Sequence, residues 1–169
     1  MAATTEAPGR PRRPDSRQLD PLELAAWRGM LFAYRNMTAA IDERLEHDHD
    51  LSLGSYEVLL LLSSAPEQSM RMGRLADGLL LSRSGLTRLI DRMVARGLVE
   101  RHTCSEDRRG TWARLTEAGA ERFRRARPTN LAAIREQFVS RLDRDDLERL
   151  ARVWEKLEGS GAGPEDPAC

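Results

Sequence analysis

The sequence predicts a mainly α-helical fold with one small β-hairpin. Apolar residues recur at intervals of three and four through most of residues 20–158, the period of amphipathic helices. Between residues 98 and 115 this pattern gives way to two short strand-like runs around a polar, charged tip. The apolar run 58–62 is far shorter than the roughly 20 residues needed to cross a bilayer, so no membrane span is expected.

The two ends of the chain differ in composition from its middle. Residues 1–19 and 159–169 are rich in Pro, Gly, Ala and charged residues and have no periodicity, so we predict a disordered arm and a disordered tail. Residues 20–158 then form a single domain. Its first helix begins at Asp20, which with Glu23 has capping-box spacing, and runs to about residue 46.

Three further helices are predicted before the hairpin. The second helix, 53–64, is apolar nearly all round and is expected to be the buried central helix. Helices over 71–80 and 83–96 are separated by a tight connection. Ser82 is expected to cap the latter helix and Gly97 to end it in the left-handed conformation.

The hairpin and two helices complete the predicted order. The strands are 98–103 and 111–115. A helix that opens at Thr116 is expected to be bent or interrupted at Pro128, and Asp143 caps the last helix.

Charge is distributed unevenly along the chain. Lys and Arg number 27 and Asp and Glu number 27, and a net charge of zero on its face argues against a nucleic-acid partner. However, residues 67–115 hold ten basic and six acidic residues, whereas residues 21–66 hold three and seven. All the basic residues except Lys156 are arginine. The region of the paired short helices and the hairpin is therefore locally basic.

One helix carries the strongest functional signal. In the predicted helix 83–96 the apolar residues share one face, and the opposite face holds arginine, short hydroxyl side chains and one aspartate. Arginine pairs with guanine edges, and Ser and Thr reach phosphates or bases. Alone, such a face would be a solvated surface, but helix, turn, helix and hairpin in this order indicate a winged helix-turn-helix. The apolar residues are Leu86, Leu89, Ile90, Met93 and Val94.

Two segments resemble a known family. LADGLLLSRSGLTRLIDRMVARGLVER (residues 75–101) and SEDRRGTWARLTEAG (residues 105–119) resemble the recognition region and wing of the MarR (multiple antibiotic resistance regulator) transcription factors. The family's D-x-R signature is present as Asp107 and Arg109, and L-T-x-x-G runs from Leu115 to Gly119.

The resemblance implies a homodimeric regulator, expected to be a repressor, that binds a pseudo-palindromic operator in double-stranded DNA. Residues 20–48 and 116–158 would form the dimerisation region, and 53–115 the winged DNA-binding lobe. It also implies that Arg109 enters the minor groove while Asp107 orients a neighbouring arginine. The candidate DNA-binding residues are Arg74, Ser82, Arg83, Ser84, Thr87, Arg88, Arg92, Asp107, Arg108 and Arg109.

The family resemblance also implies release from DNA by a small phenolic or carboxylate ligand. The candidate ligand-binding residues are Trp27, Arg28, Tyr34 and Tyr56. At their helical spacing, the sequence favours a core or interface role for Trp27 and Tyr34 over ligand binding.

Other sites receive weaker support. The segment 46–50 contains His47 and His49, but its alternation does not place its side chains on one helix face, so a solvated helix end is favoured over a metal or sensor site. Cys104 lies near the hairpin, where its oxidation would disturb DNA contacts, although a passive thiol is favoured. Residues 9–13 (GRPRR) are similar to an AT-hook core, with a solvated tail favoured.

The sequence gives no reason to expect an enzyme, a cofactor or a metal. It contains no phosphate-binding glycine loop and no nucleophile elbow. The competing class is a winged-helix adaptor for proteins, which would not need Arg83, Arg88 and Arg109 on one surface. An apolar leader is absent and there are only two cysteines, so a cytoplasmic location is expected.

Overall fold

The computed structural model describes residues 18–79, 81–103 and 111–158. The predicted tail, nearly all of the predicted arm and the hairpin tip lie outside these residues. The chain divides into two compact units, 1–36 and 37–169, whose boundary falls within the first helix. Among the described helices, none combines the length and apolar composition that a membrane span requires.

Helix α1 (Pro21–His49) begins as predicted and ends three residues later than expected. The backbone N–H of Asp20 donates to Glu23 Oε2 and that of Glu23 to Asp20 Oδ1, both at 2.8 Å, which confirms the capping box. In the first unit the Arg35 guanidinium lies 5.1 Å from the centre of the Phe32 ring. Several large apolar side chains of this unit are exposed: Leu22, Trp27, Leu31, Phe32 and Tyr34.

Helix α2 (Leu53–Ser64) has the predicted bounds and is the central helix of the second unit. The Ser52 hydroxyl caps it, accepting from the Ser55 N–H at 3.2 Å. The Leu53 N–H donates to Asp42 Oδ1 of α1 at 2.7 Å. Burial is not complete all round, because Leu60 is 41% exposed. Buried residues of α2 are Ser55, Tyr56, Val58, Leu59 and Leu62.

The sheet contains a strand that the sequence does not predict. A 3-10 turn at Pro66–Gln68 leads into β1 (Ser69–Arg71), which pairs antiparallel with β3 (Thr111–Leu115), and β3 pairs antiparallel with β2 (Val99–Thr103). The strand order is therefore β1-β3-β2. Three residues are too few to show an alternating pattern, so β1 was missed and its last residue was placed in the following helix.

The two short helices are α3 (Met72–Gly78) and α4 (Arg83–Ala95). The Ser82 hydroxyl accepts from the Gly85 N–H at 3.1 Å, and Gly97 has φ = 70°, so the predicted cap and left-handed stop are both confirmed. The apolar face of α4 packs into the core through Leu86, Leu89, Ile90 and Met93.

The prediction was wrong for Val94, which is 39% exposed. At about 100° per residue, Val94 lies roughly a quarter turn from the middle of the buried stripe of α4. That angle places it at the edge of the core.

Helix α5 (Glu117–Gln137) begins in close contact with the end of α4. The Thr116 hydroxyl donates to the carbonyls of Gly97 at 2.7 Å and Leu98 at 3.0 Å, and it accepts from the Gly119 N–H at 3.0 Å. A Cβ on Gly119 would lie 2.0 Å from the Leu98 carbonyl oxygen. These contacts explain the L-T-x-x-G sequence in physical terms, because only glycine permits this approach.

Pro128 does not interrupt α5, so the interruption, one of the two predicted alternatives, is wrong. Phe123 and Ala126 are buried before the proline, and Asn130 and Ala133 are buried after it. Because both halves of the helix pack into the core, tertiary contacts offset the hydrogen bond that proline removes. A 3-10 turn at 139–141 then leads to α6 (Arg144–Glu158). The predicted cap is confirmed, since Asp143 Oδ1 accepts from the Asp146 N–H at 2.8 Å.

The close approach at Gly119 predicts that Gly119→Ala destabilises the fold. The new methyl group meets backbone, which cannot rotate away, so we expect a loss of about 1–3 kcal/mol, as for overpacking. Gly73→Ala is the matched control, because Gly73 also lies in the first turn of a helix but has no neighbour within 4 Å of its Cβ position. Urea unfolding of both variants measures the difference, and equal midpoints would contradict the packing argument.

The single carboxylate of α2 predicts a pH-dependent effect on stability. Burial raises the pKa of the Glu57 carboxyl above its ordinary value. The folded state therefore loses stability as the pH rises through this raised pKa, and Glu57→Gln should increase the urea midpoint at pH 7.

The gain from Glu57→Gln should vanish as the pH falls below the ordinary carboxyl pKa of about 4.3, where both states are protonated. Glu43→Gln, at an exposed position of α1, is the control and should show no comparable gain. A gain from Glu57→Gln that did not change with pH would contradict the cause assigned to it.

Candidate nucleic-acid interface

The exposed face of α4 presents most of the predicted DNA-binding residues together. Burial of Leu86, Ile90 and Met93 fixes the rotation of the helix about its axis. The opposite face is exposed to solvent and is dominated by arginine and short hydroxyl side chains. Its residues, with the preceding cap, are Ser82, Arg83, Ser84, Thr87, Arg88, Asp91 and Arg92.

The hydroxyl groups of this face already make contacts within the protein. Ser82 Oγ accepts from the Gly85 N–H and lies 3.3 Å from Ser84 Oγ. Thr87 Oγ1 donates to the Arg83 carbonyl at 2.8 Å. The hydroxyl of Thr87 therefore offers an external partner its lone pairs rather than its proton.

A cleft of about 820 Å³ lies beside this face, between α3, α4 and the sheet. It brings together the predicted residues Arg74, Arg83 and Thr87, and it contains four arginines against one aspartate. This excess of positive charge suits an anionic ligand. The lining residues are Arg71, Met72, Gly73, Arg74, Asp77, Arg83, Leu86, Thr87, Arg101 and Thr111.

Sequence reasoning missed Arg71 and Arg101 as part of this surface. Arg71 ends β1, the strand that has no sequence signal. Arg101 lies on a strand that was predicted, and alternation would have placed it on the same face as buried Val99. Arg101 Nη1 lies 2.6 Å from Asp91 Oδ1, and Nη2 donates to the Thr87 carbonyl at 3.3 Å. This arginine therefore connects β2 to the exposed face of α4.

The loop between α1 and α2 connects the end of α4 to α5. Arg96 donates to the carbonyl of Asp50 and, at 2.7 Å, to Asp50 Oδ2. Arg122 of α5 donates to the His49 carbonyl, and His49 Nε2 lies 2.8 Å from Thr129 Oγ1. The neighbourhood of His49 is thus a structural connection between three helices.

The metal alternative finds no support in this segment. His47 Nδ1 lies 2.8 Å from Asp48 Oδ1, and this hydrogen bond lowers the pKa of the Asp48 carboxyl. His49 has a different partner. Over the described ranges, no group of three or more His, Cys, Asp or Glu side chains is arranged to hold a metal ion.

The candidate ligand-binding residues lie in different units. Trp27, Arg28 and Tyr34 are exposed in the first unit, whereas Tyr56 is buried in the core of the second. The Tyr56 ring lies 5.4 Å from that of Phe123, and burial raises the pKa of the Tyr56 phenol. Tyr56 therefore remains a neutral group that packs into the core.

Four residues singled out in the sequence lie in the hairpin tip, outside the described residues. They are Cys104, Asp107, Arg108 and Arg109.

Comparisons with known proteins identify the family and the fold. The sequence model of the MarR family matches residues 49–110, the segment that contains α2, α3, α4 and β2. AbsC, a MarR family transcriptional regulator from Streptomyces coelicolor, is 35% identical, with a TM-score of 0.77 over 84% of this chain and 95% of that chain. This chain belongs to the MarR family. The predicted family and fold class are therefore confirmed.

Two further MarR-type relatives support the assignment. Sco3205, a MarR family transcriptional regulator from Streptomyces coelicolor solved in complex with DNA, is 31% identical, with a TM-score of 0.77 over 90% of this chain and 98% of its own. The HTH-type transcriptional regulator MhqR of Bacillus subtilis is 26% identical over 125 residues, which are 74% of this chain and 83% of MhqR. The similarity thus extends well beyond the winged region, to most of the described helices.

Proposed function

We propose that this MarR family protein is a homodimeric repressor that binds a pseudo-palindromic operator through α4 and the hairpin. The observation that carries the proposal is the exposed face of α4, where arginine and hydroxyl side chains adjoin a cleft lined by three further arginines, Arg71, Arg74 and Arg101. In this proposal, Arg88 pairs with a guanine edge in the major groove.

The cleft beside α4 supplies the sequence-independent part of binding in this proposal. Arg71, Arg74 and Arg83 line it, and a DNA phosphate is the anion that arginine recognises best. Arg109 of the hairpin would enter the minor groove, a role supported by its D-x-R motif. The net neutrality of the chain is compatible with this role, because residues 67–115, which include α4 and the arginines of the cleft, hold ten basic and six acidic residues.

The dimer is supported by apolar side chains that a single chain leaves uncovered. In α6 an apolar stripe includes Val153, Trp154 and Leu157, and none of the residues whose burial is described there is buried. In the first unit, the large apolar residues of α1 are exposed as well. An amphipathic helix of this kind requires a partner, and a second copy would bury both surfaces in a two-fold arrangement.

Control by a small molecule is the last part of the proposal. It is supported by the family resemblance and by the exposed aromatic side chains of Trp27 and Tyr34. Salicylate, a phenolic carboxylate, is a suitable probe. It should release the protein from its operator, and a complex unaffected by salicylate would contradict this ligand class.

Selection of bound sites from a random DNA pool tests the proposed function. We expect an inverted repeat whose half-sites are about one helical turn, near 10 bp, apart. Affinity for this duplex should fall steeply as salt is raised, because phosphate contacts release counterions. A pool that shows no enrichment would contradict the proposal and favour a winged-helix adaptor for proteins.

Loss of a base-reading side chain gives a direct prediction. Arg88→Ala should weaken binding to the selected duplex by about 1–3 kcal/mol and relax the preference at one base pair in each half-site. Arg124→Ala is the control, because Arg124 is exposed on α5, where it pairs with Glu121 at 2.6 Å. Fluorescence anisotropy measures both variants. Equal losses of affinity in the two variants would contradict the proposal that α4 reads the bases.

The dimer predicts a strong effect of charge on the stripe of α6. Leu157 is 68% exposed in the single chain, so Leu157→Asp should cost the isolated chain little. Burying that charge in an interface should raise the dimer dissociation constant at least about tenfold. Arg152→Asp, exposed on the face of α6 opposite the stripe, adds more negative charge and is the control. Sedimentation velocity measures both, and a wild-type monomer at micromolar concentration would contradict the dimer.

A further inference from the structure

In the proposed function the exposed face of α4 lies against DNA, and this face carries one acidic residue, Asp91. Asp91 is exposed on α4, one helical turn after Thr87 and three residues after Arg88. An uncompensated carboxylate at this position would repel DNA phosphates. A cationic group beside Asp91 would remove this repulsion.

Arg101 supplies that group from the neighbouring strand. In β2, Val99 is buried in the core, and Arg101 follows two residues later on the same face of the sheet. Its Nη1 contacts Asp91 Oδ1 at 2.6 Å, while Nη2 donates to the carbonyl of Thr87 at 3.3 Å. Thr87 and Asp91 are four residues apart on α4, so one planar guanidinium spans a full turn of the helix.

We infer that Arg101 is a positioning residue for DNA recognition, which acts by neutralising Asp91 on the exposed face of α4. This inference rests on the proposed function, since it concerns the surface offered to DNA. Arg101 acts through Asp91 rather than as a phosphate ligand of its own. Asp91 in turn keeps the guanidinium against the protein.

A second ion pair of the same sheet provides a matched control. Arg114 Nη1 lies 3.8 Å from Glu100 Oε1, and the side chains are 38% and 56% exposed, against 35% and 53% for Arg101 and Asp91. Glu100 precedes Arg101 in β2, so the two side chains point to opposite faces of the sheet. The control pair is therefore similar in exposure but does not contact α4.

The test compares Arg101→Gln, Asp91→Asn and the double variant, using the full chain and the duplex recovered by site selection. Arg101→Gln should weaken binding about three- to tenfold at low salt, because it leaves Asp91 uncompensated. Asp91→Asn in that background should restore affinity to within about twofold of wild type. Arg114→Gln should change affinity by less than about twofold.

The salt dependence of the double variant separates positioning from direct phosphate contact. The double variant has the net charge of wild type, so its slope of log K against log salt should equal that of wild type. A double variant as weak as Arg101→Gln, with a slope smaller by about one, would assign Arg101 to a phosphate and overturn the inference.

Two further measurements keep the outcomes distinct. Urea unfolding shows whether Arg101→Gln is folded. If it is not, Arg101→Lys, which retains the charge but not the planar fork, replaces it. In that case Arg101→Lys should bind within about threefold of wild type. The inference is overturned if Arg101→Lys loses more affinity than this and adding Asp91→Asn does not recover it. Failure of the wild-type protein to bind any selected duplex contradicts the proposed function instead.

Discussion

The close contact between the start of α5 and the carbonyl of Leu98 joins α5 to the end of α4, whose exposed face is the proposed DNA-binding surface. The Thr116 hydroxyl satisfies two carbonyls at the end of α4 and also caps α5, so one side chain joins both helices at the base of the sheet. The missing side chain of Gly119 allows this approach. This junction fixes where the end of α4 meets α5, whereas burial of Leu86, Ile90 and Met93 fixes which side chains α4 exposes.

Local sequence signals correctly predicted the helix ends that depend on neighbouring residues. The bounds of α2, the caps at Ser82 and Asp143 and the stop at Gly97 agree with the structure, because each depends on residues within one helical turn. The short strand β1 left no periodic signal. Continuation of α5 through Pro128 depends on burial on both sides of the proline, which a local rule does not include.

The exposed face of α4 was predictable for the same reason, since helical spacing alone separates its apolar and polar residues. The cleft beside it was not predictable. Arg71 and Arg101 reach it only because the sheet order brings two strands distant in sequence to the same helix. The net charge of zero was a poor guide to the binding partner. It averages over the whole chain, whereas folding brings four arginines and only one aspartate to the cleft beside α4.

The connection of Arg96 to Asp50 has a mechanical consequence for the chain. The last turn of α4 is attached to the backbone between α1 and α2, and the same backbone is attached to α5 through Arg122. A displacement of α5 that preserves these hydrogen bonds must carry the end of α4 with it. In the proposed dimer, the distance between the two α4 helices would then vary with the tilt of α5, while each winged lobe stays folded.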